Sequence, residues 1–518
     1  MRPTWMIAVA ALMVIPGALV AQAPPPARLR GLDTYIERAM RDWEVPGLAI
    51  AVVKDDSVVW ARGFGVRELG RPDRVDEHTT FVAASTTKAF TAALMGMLVD
   101  SQRVRWDDPV TRHLPWFQLY DPYATREMTV RDLLSHRGGL TRADGTWYAS
   151  GRSRTDIVRA MRFHPPRWSF RSRYGYQNVM FLTAGEVIAA VSGRSWDDVI
   201  RERLLVPLGM THATTTVRDL PGMDNVAMPH ARVERRMVAV PWRNVDNVAA
   251  AGSLNASVFA MAQWVRLNLG RGMYGGRRLV SEAVIREMQT AHTVITSNAR
   301  TDSIWPDVHL RAYGLGWSLN DYRGRKVVSH GGALDGMRSH VAMLPEERLG
   351  VVVMANSDQV GALLVGLAYR VFDAYLGASQ ARDWSADLLA DLQWSRRRAD
   401  SLDRRRDSLR VRDTRTSTAL AGYAGRYADS LYGEADVTVD GEHLVVHTGE
   451  LVGDLEHWHY DTFRVAWRQR HLGRSFAEFA VGFDGRVARL TLRDDEEDLD
   501  LQTYGRVRTA RGAAAGSP

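Results

Sequence analysis

The sequence predicts an α/β unit of about 350 residues followed by a separate antiparallel β domain. Two observations carry this. Within residues 27–377 apolar, strand-like runs occur near both ends, with helical spacing between them, so the terminal segments are expected to share one sheet. From residue 419 onward the pattern changes to short stretches of alternating apolar and polar residues broken by Asp-Gly turns. The Arg/Asp/Ser-rich stretch 378–416 lies between them and reads as a helical, solvated connector.

The chain opens on "MRPTWMIAVAALMVIPGALVAQAPPP". Arg2 precedes an apolar run from Met6 to Val20, broken by Pro16-Gly17 and followed by Ala21-Gln22-Ala23. That run is too short and too interrupted to span a membrane, so residues 1–23 are expected to be a cleavable signal peptide of an exported protein, with no membrane span left after cleavage. "GLDTYIERAMRDWEVPG" then has helical spacing at Leu32, Tyr35, Ile36, Met40 and Trp43, ended by Pro-Gly. "GLAIAVVKDDSVVWARGFGV" reads as a hairpin around Asp55-Asp56. "TTFVAASTTKAFTAALMGMLVDS" reads as a helix with Ser85 near its first turn, and "TVRDLLSHRGGL" as a short helix closed by glycines. A helical region is expected from about 155 to 270. Strands return at "YGLGWSLND", "RKVVSHGGALDG", "RSHVAMLPEE" and "LGVVVMANSD", ahead of a helix near 360–376. The β domain is expected over 417–508, and the tail 509–518 is expected to be disordered.

Composition is ordinary for a globular protein, 45% hydrophobic and 25% charged. The net charge of +7 comes from scattered arginines, with one cluster in the connector and no nucleic-acid-binding motif beside it. The chain has no cysteine, which excludes disulfides, lipid attachment through cysteine and cysteine–zinc sites. His457 and His459 in "EHWHY" share a strand face but lack a third ligand, so no metal is expected. Nothing in the sequence fixes an oligomeric state.

Only three of the 67 basic residues are lysine: Lys54, Lys88 and Lys326. Arginine therefore serves wherever a generic positive charge suffices. Lys88 follows Ser85 by three residues in "ASTTK", and residues i and i+3 share a helix face. A buried lysine can lose its proton and act as a base, which arginine cannot do. The pair thus offers a nucleophile beside a general base. At a helix start the Ser85 N–H is also directed at a developing oxyanion. Two further stretches offer partners. "RYGYQNVMF" holds Tyr176 and Asn178, a phenol able to shuttle a proton and an amide able to bridge lysine and substrate. "VVSHGGALDG" is an apolar strand running into His330, Gly331 and Gly332, where a substrate backbone can approach closely. Ala333 is placed to give a second oxyanion N–H.

Ser85-x-x-Lys88, Tyr176-x-Asn178 and His330-Gly331-Gly332, in this order and spacing, resemble the serine β-lactamase and penicillin-binding-protein superfamily, its class C-related peptidases and esterases above all. The resemblance covers roughly residues 30–375. It implies the β-lactamase/transpeptidase-like fold, an antiparallel sheet flanked by helices plus a helical subdomain. It also implies Ser85 as the acylated nucleophile, Lys88 as its base and Tyr176 as proton relay beside Asn178. The C-terminal domain resembles the small lipocalin-like barrel that follows some of these peptidases.

True β-lactamases begin the third motif with a lysine that meets the substrate carboxylate. His330 replaces that fixed charge with a group of ordinary pKa about 6.5, mostly neutral at pH 7 and a catalytic candidate to share the proton relay with Tyr176, so activity is expected to fall as pH drops through its titration. Arg338 is the alternative carboxylate anchor, or else a surface arginine. The implied function is an exported serine hydrolase acting on amide or ester bonds of short peptides, D-residue peptides among the candidates, or small esters. No cofactor is implied. The alternatives are a penicillin-binding sensor that acylates without turnover, and a true β-lactamase. The absence of Gly-x-Ser-x-Gly and His-Glu-x-x-His argues against an α/β-hydrolase and a zincin.

Overall fold

The computed structural model describes residues 26–378, 382–494 and 502–507. The segments expected to be leader and tail lie outside the described residues. Helix α1 (Leu32–Trp43) buries Leu32, Ile36, Ala39, Met40 and Trp43, the single apolar stripe that its spacing dictates. It leads into the hairpin of β1 (Gly47–Lys54) and β2 (Ser57–Gly65). Three helices then supply the wall of the large core: α2 (Thr87–Asp100), α3 (Asn178–Ser192) and α4 (Val258–Leu269). The remaining sheet strands follow as β3 (Thr293–Val294), β4 (Arg311–Tyr313), β5 (Ser318–Tyr322), β6 (Arg325–Leu334), β7 (Met337–Leu344) and β8 (Leu349–Ala355). Helix α5 (Gly361–Tyr375) closes the unit.

The sheet order is β2-β1-β8-β7-β6-β5-β4-β3, antiparallel throughout. The two ends of the unit do share it, since β1 pairs with β8 from Leu48↔Ala355 to Lys54↔Leu349. Leu48, Ile50 and Val52 pack with α1 and α5, whereas Ala49, Ala51 and Val53 face the core of α2, α3 and α4. Both faces are covered, which is why β1 reads as an unbroken apolar run instead of alternating.

The expected helical region 155–270 is only partly helical. Between Met210 and Asn255 the chain forms two 3-10 turns (Val217–Gly222 and Asp246–Val248), a small hairpin (His230–Val233 with Arg236–Ala239), a single helical turn (Ala249–Gly252) and irregular loops. Its "THATTTVRDLPGMDNVAMPH" is rich in β-branched residues and prolines, which disfavour helix.

Helix α6 (Trp384–Ser408) spans the connector. Its first turn is docked: Trp384 Nε1 donates to Asp373 at 2.8 Å, and the Trp43 indole donates to Ser385 Oγ at 3.0 Å. The C-terminal strands β9 (Gly425–Asp429), β10 (Gly433–Asp440), β11 (His443–Thr448), β12 (Leu451–His459), β13 (Thr462–Trp467), β14 (Arg474–Val481), β15 (Val487–Asp494) and β16 (Gln502–Arg506) form a closed antiparallel barrel. Tyr423, Tyr427, Phe463, Phe479, Leu490 and Tyr504 fill its interior. His457 and His459 hydrogen-bond to backbone groups of Tyr460 and Val411.

Candidate active site

Ser85 sits one turn earlier than the helical pattern suggested, in a 3-10 turn (Ala84–Thr86) that precedes α2. The preceding residues Phe81–Val82 are drawn into a short strand against Asn255–Ala256, which delays the helix start. Ala84 takes φ +47°, a costly conformation for a residue with a Cβ. The turn is held by the Thr86 and Thr87 hydroxyls, which donate to the Ala83 and Ala84 carbonyls at 2.9 and 2.6 Å.

Lys88 is fully buried in the first turn of α2. Its Nζ lies 3.0 Å from Ser85 Oγ, 2.8 Å from Asn178 Oδ1 and 2.8 Å from the Ala251 carbonyl. Burial holds the amine well below the ordinary lysine value of 10.5. Arg142 pushes the same way and Asp144 opposes. A neutral amine has two hydrogens and one lone pair. Asn178 Oδ1 and the Ala251 carbonyl accept only, so they take the hydrogens and leave the lone pair for the Ser85 hydroxyl.

Asn178 is the first residue of α3, and Gln177 caps that helix by accepting from the Val179 N–H at 2.9 Å. Tyr176 precedes the cap, with its ring centroid 4.9 Å from Lys88 Nζ and its hydroxyl beside Ser85. Burial raises the phenol above its ordinary pKa, so Tyr176 stays protonated across the neutral range. The structure therefore brings Ser85, Lys88, Tyr176 and Asn178 together.

Strand β6 runs past the Ser85 turn. Its pairing with β5 ends at Ser329, so from His330 to Leu334 that edge has no strand neighbour among the described residues. Gly331 and Ala333 are exposed there, and Gly332 faces inward. A Cβ on Gly332 would lie 2.2 Å from both the Ala83 carbonyl and Ser339 Oγ, so only glycine lets β6 pack on the Ser85 turn. Ser85, Tyr176, Asn178, Gly331, Ala333 and Arg338 line a cavity of about 440 Å³. Arg338 stands in its wall, donating to the Leu334 and Met337 carbonyls at 2.9 and 2.8 Å.

His330 departs from the titration expected of it. It is buried, and its Nε2 lies 2.9 Å from the Tyr313 hydroxyl, its Nδ1 2.6 Å from the Gly331 carbonyl. Burial, reinforced by Lys88, takes its pKa down to about 3. It is neutral at every pH of physiological interest, and both ring nitrogens are engaged away from Ser85.

A family model described as Beta-lactamase matches residues 32–376. The chain belongs to the beta-lactamase family. A further model, described as a domain of unknown function (DUF3471), matches residues 409–505. Among curated relatives, "Unguisins hydrolase ungD" of Aspergillus violaceofuscus is 31% identical over 455 residues, 80% of this chain and 78% of that protein. "Protein flp" of Staphylococcus aureus is 23% identical, over 63% of this chain and 62% of its own. Among solved structures, the octameric penicillin-binding protein homologue from Pyrococcus abyssi superposes with TM-score 0.60 at 22% identity, covering 91% of this chain and 99% of its own. A D-stereospecific amidohydrolase from Streptomyces sp. superposes with TM-score 0.54 at 23% identity, covering 68% and 98%. Membership of this family makes the protein a serine hydrolase, and the barrel a second domain appended to the β-lactamase-like fold.

Four neighbours of the site escaped sequence reasoning. Asp144 accepts from Asn178, Arg142 lies over the Tyr176 ring, His136 packs 4.2 Å from that ring and accepts the Gln177 N–H at 3.1 Å, and Tyr313 holds His330. His136 lies in "TVRDLLSHRGGL", where a lone histidine at the end of a short helix carries no signal of its own. Arg142 is one arginine among many, and Asp144 and Tyr313 carry no spacing cue.

Proposed function

We propose that this chain is an exported hydrolase that cleaves amide or ester bonds of short peptides, D-residue peptides included, or of small esters, through an acyl-enzyme on Ser85. Ser85 Oγ attacks the carbonyl while Lys88 takes its proton. The N–H groups of Ser85 and Ala333 hold the oxyanion, and Tyr176 relays the proton from Lys88 to the leaving group and later relays one from the attacking water back to neutral Lys88. The observation that carries this reading is the partner set of Lys88 Nζ, two acceptors and one hydroxyl, which fits a neutral base pointed at Ser85.

Neutral His330 in place of a fixed cation favours peptides and esters over carboxylate-bearing β-lactams. The relative at 31% identity, named as a hydrolase of unguisins, supports hydrolysis over silent acylation. The Arg2 and Met6–Val20 pattern supports export. The test is labelling with a fluorophosphonate probe, then turnover of a panel of D- and L-peptides, p-nitrophenyl esters and a chromogenic cephalosporin. Ester or peptide turnover well above cephalosporin turnover is expected. A product burst without turnover would identify a sensor, and efficient cephalosporin hydrolysis a β-lactamase.

A further inference from the structure

A second cavity, of about 1740 Å³, lies between the hydrolase unit, the far end of α6 and the barrel. The segment 142–152 forms one wall, residues 399–409 another, and the barrel the third, through Tyr432, Gly449, Leu451, Trp467 and Leu472 among others. Arg142 lines both this chamber and the catalytic cavity. The two spaces therefore meet at a guanidinium that lies 4.9 Å from the Tyr176 ring centroid.

The walls are fixed to one another. The Glu450 N–H donates to the Ala149 carbonyl at 2.7 Å, and Arg152 donates to the Leu431 carbonyl at 2.5 Å. A Cβ on Gly449, which takes φ +56°, would stand 2.1 Å from the Ala149 carbonyl, so the barrel approaches the 142–152 segment as closely as backbone allows. His471 of the barrel reaches Asp335 at 3.1 Å, and Asp335 also accepts from the Tyr148 hydroxyl at 2.6 Å and Arg243 Nε at 3.0 Å. Asp335 sits in the β6–β7 turn, directly after the free edge that ends at Leu334. The barrel is thus braced against both sides of the catalytic cleft.

The chamber's size and lining point to its occupant. The catalytic cavity is at the small end of the ~300–1,000 Å³ range of single-ligand pockets, and the chamber exceeds that range. Leu402 and Leu409 line it at 44% and 67% exposure, apolar side chains that the charged helix α6 and the residue after it leave to water. Arg235, Arg404 and Arg405 line it too, with no ion-pair partner within 4 Å among the described residues, and offer donors to peptide carbonyls.

We propose that the chamber binds the part of an oligopeptide substrate remote from the scissile bond, apolar side chains on Leu402 and Leu409 and carbonyls on the arginines. This deepens the amide-hydrolase reading of Ser85 and rests on it. Binding energy from the remote residues is then available to position the scissile carbonyl, so longer peptides gain in kcat/KM.

The test uses the full chain and the variant Ala399→Trp/Leu402→Trp, which narrows the chamber at two exposed helix positions far from Ser85. In the wild type, an apolar hexapeptide is expected to exceed the matching dipeptide in kcat/KM by about tenfold or more, and the double variant to erase the gain. Hydrolysis of a p-nitrophenyl ester is expected to stay within about twofold. Hexapeptide binding is measured separately on Ser85→Ala, with and without the two tryptophans, and is expected to be lost with them. Equal kcat/KM for both lengths, or hexapeptide binding to Ser85→Ala that ignores the tryptophans, overturns the chamber. Chamber-dependent binding without any Ser85 acylation would instead overturn the hydrolase mechanism and leave the chamber standing.

Discussion

Asp144 accepts a hydrogen bond from Asn178 Nδ2 at 3.0 Å, and this pair decides which end of the amide meets Lys88. A carboxylate has no hydrogen to give, so the Asn178 NH₂ must face it and the amide oxygen must face Lys88 Nζ, at 2.8 Å. Asp144 is itself held by Arg142 Nε at 2.7 Å and Trp147 Nε1 at 2.8 Å. One acidic residue outside the three motifs thus fixes the polarity of the base's surroundings.

The same two residues act on Lys88 with opposite sign, Asp144 raising its pKa and Arg142 lowering it. Lys88 works as a base only when neutral, so kcat/KM falls as pH drops through its pKa. Asp144→Asn is expected to move this acid limb to lower pH, and Arg142→Gln to move it to higher pH. Asp144→Asn also frees the amide to turn over, lowering the plateau by about tenfold. Profiles on a p-nitrophenyl ester from pH 5 to 9 measure all of this, and shifts of the same sign would refute it.

Lys88→Arg keeps the charge but supplies no lone pair, so acylation is expected to fall nearly as far as in Ser85→Ala, to below about 1% of wild type. Fluorophosphonate labelling followed by intact mass reads the loss, and circular dichroism checks that both variants fold. Wild-type acylation by the arginine variant would show that Lys88 is not the base.

Gly331 and Gly332 are neighbours with different fates. Gly332→Ala drives a methyl into the Ala83 carbonyl and Ser339 Oγ, and is expected to cost ~1–3 kcal/mol of stability and to displace the Ser85 turn. On Gly331 a Cβ would meet nothing nearer than 3.8 Å. Gly331→Ala should therefore keep the wild-type melting temperature while raising KM for peptides, because the methyl stands on the exposed strand edge. Denaturant titration and peptide kinetics on both variants separate the two effects.

His330, with its pKa near 3, is neutral well above that value and contributes no limb to a profile between pH 5 and 9. His330→Gln is expected to lower kcat, through loss of the Tyr313 hydrogen bond, and to leave the acid limb where Lys88 puts it. Disappearance of the limb in this variant would assign the titration to His330.

The sequence by itself determined the order of the parts. Periodicity marked α1, the β1–β2 hairpin, the later strands β6 to β8, α5 and the change to short alternating strands after residue 419, because apolar spacing is a local property of the chain. It also picked out Ser85 and Lys88, since a lysine spared among arginines and set one helical turn from a serine is visible without any fold. The tertiary structure decided what surrounds them. Asp144 lies 34 residues from Asn178 in the chain, Ala251 lies 163 from Lys88, and Tyr313 lies 17 from His330. No local pattern records such contacts. The pKa of His330 was out of reach for the same reason. Its ordinary value belongs to the side chain in water, and its value near 3 to the depth of the site and the neighbouring Lys88, which exist only once β6 has packed against the Ser85 turn.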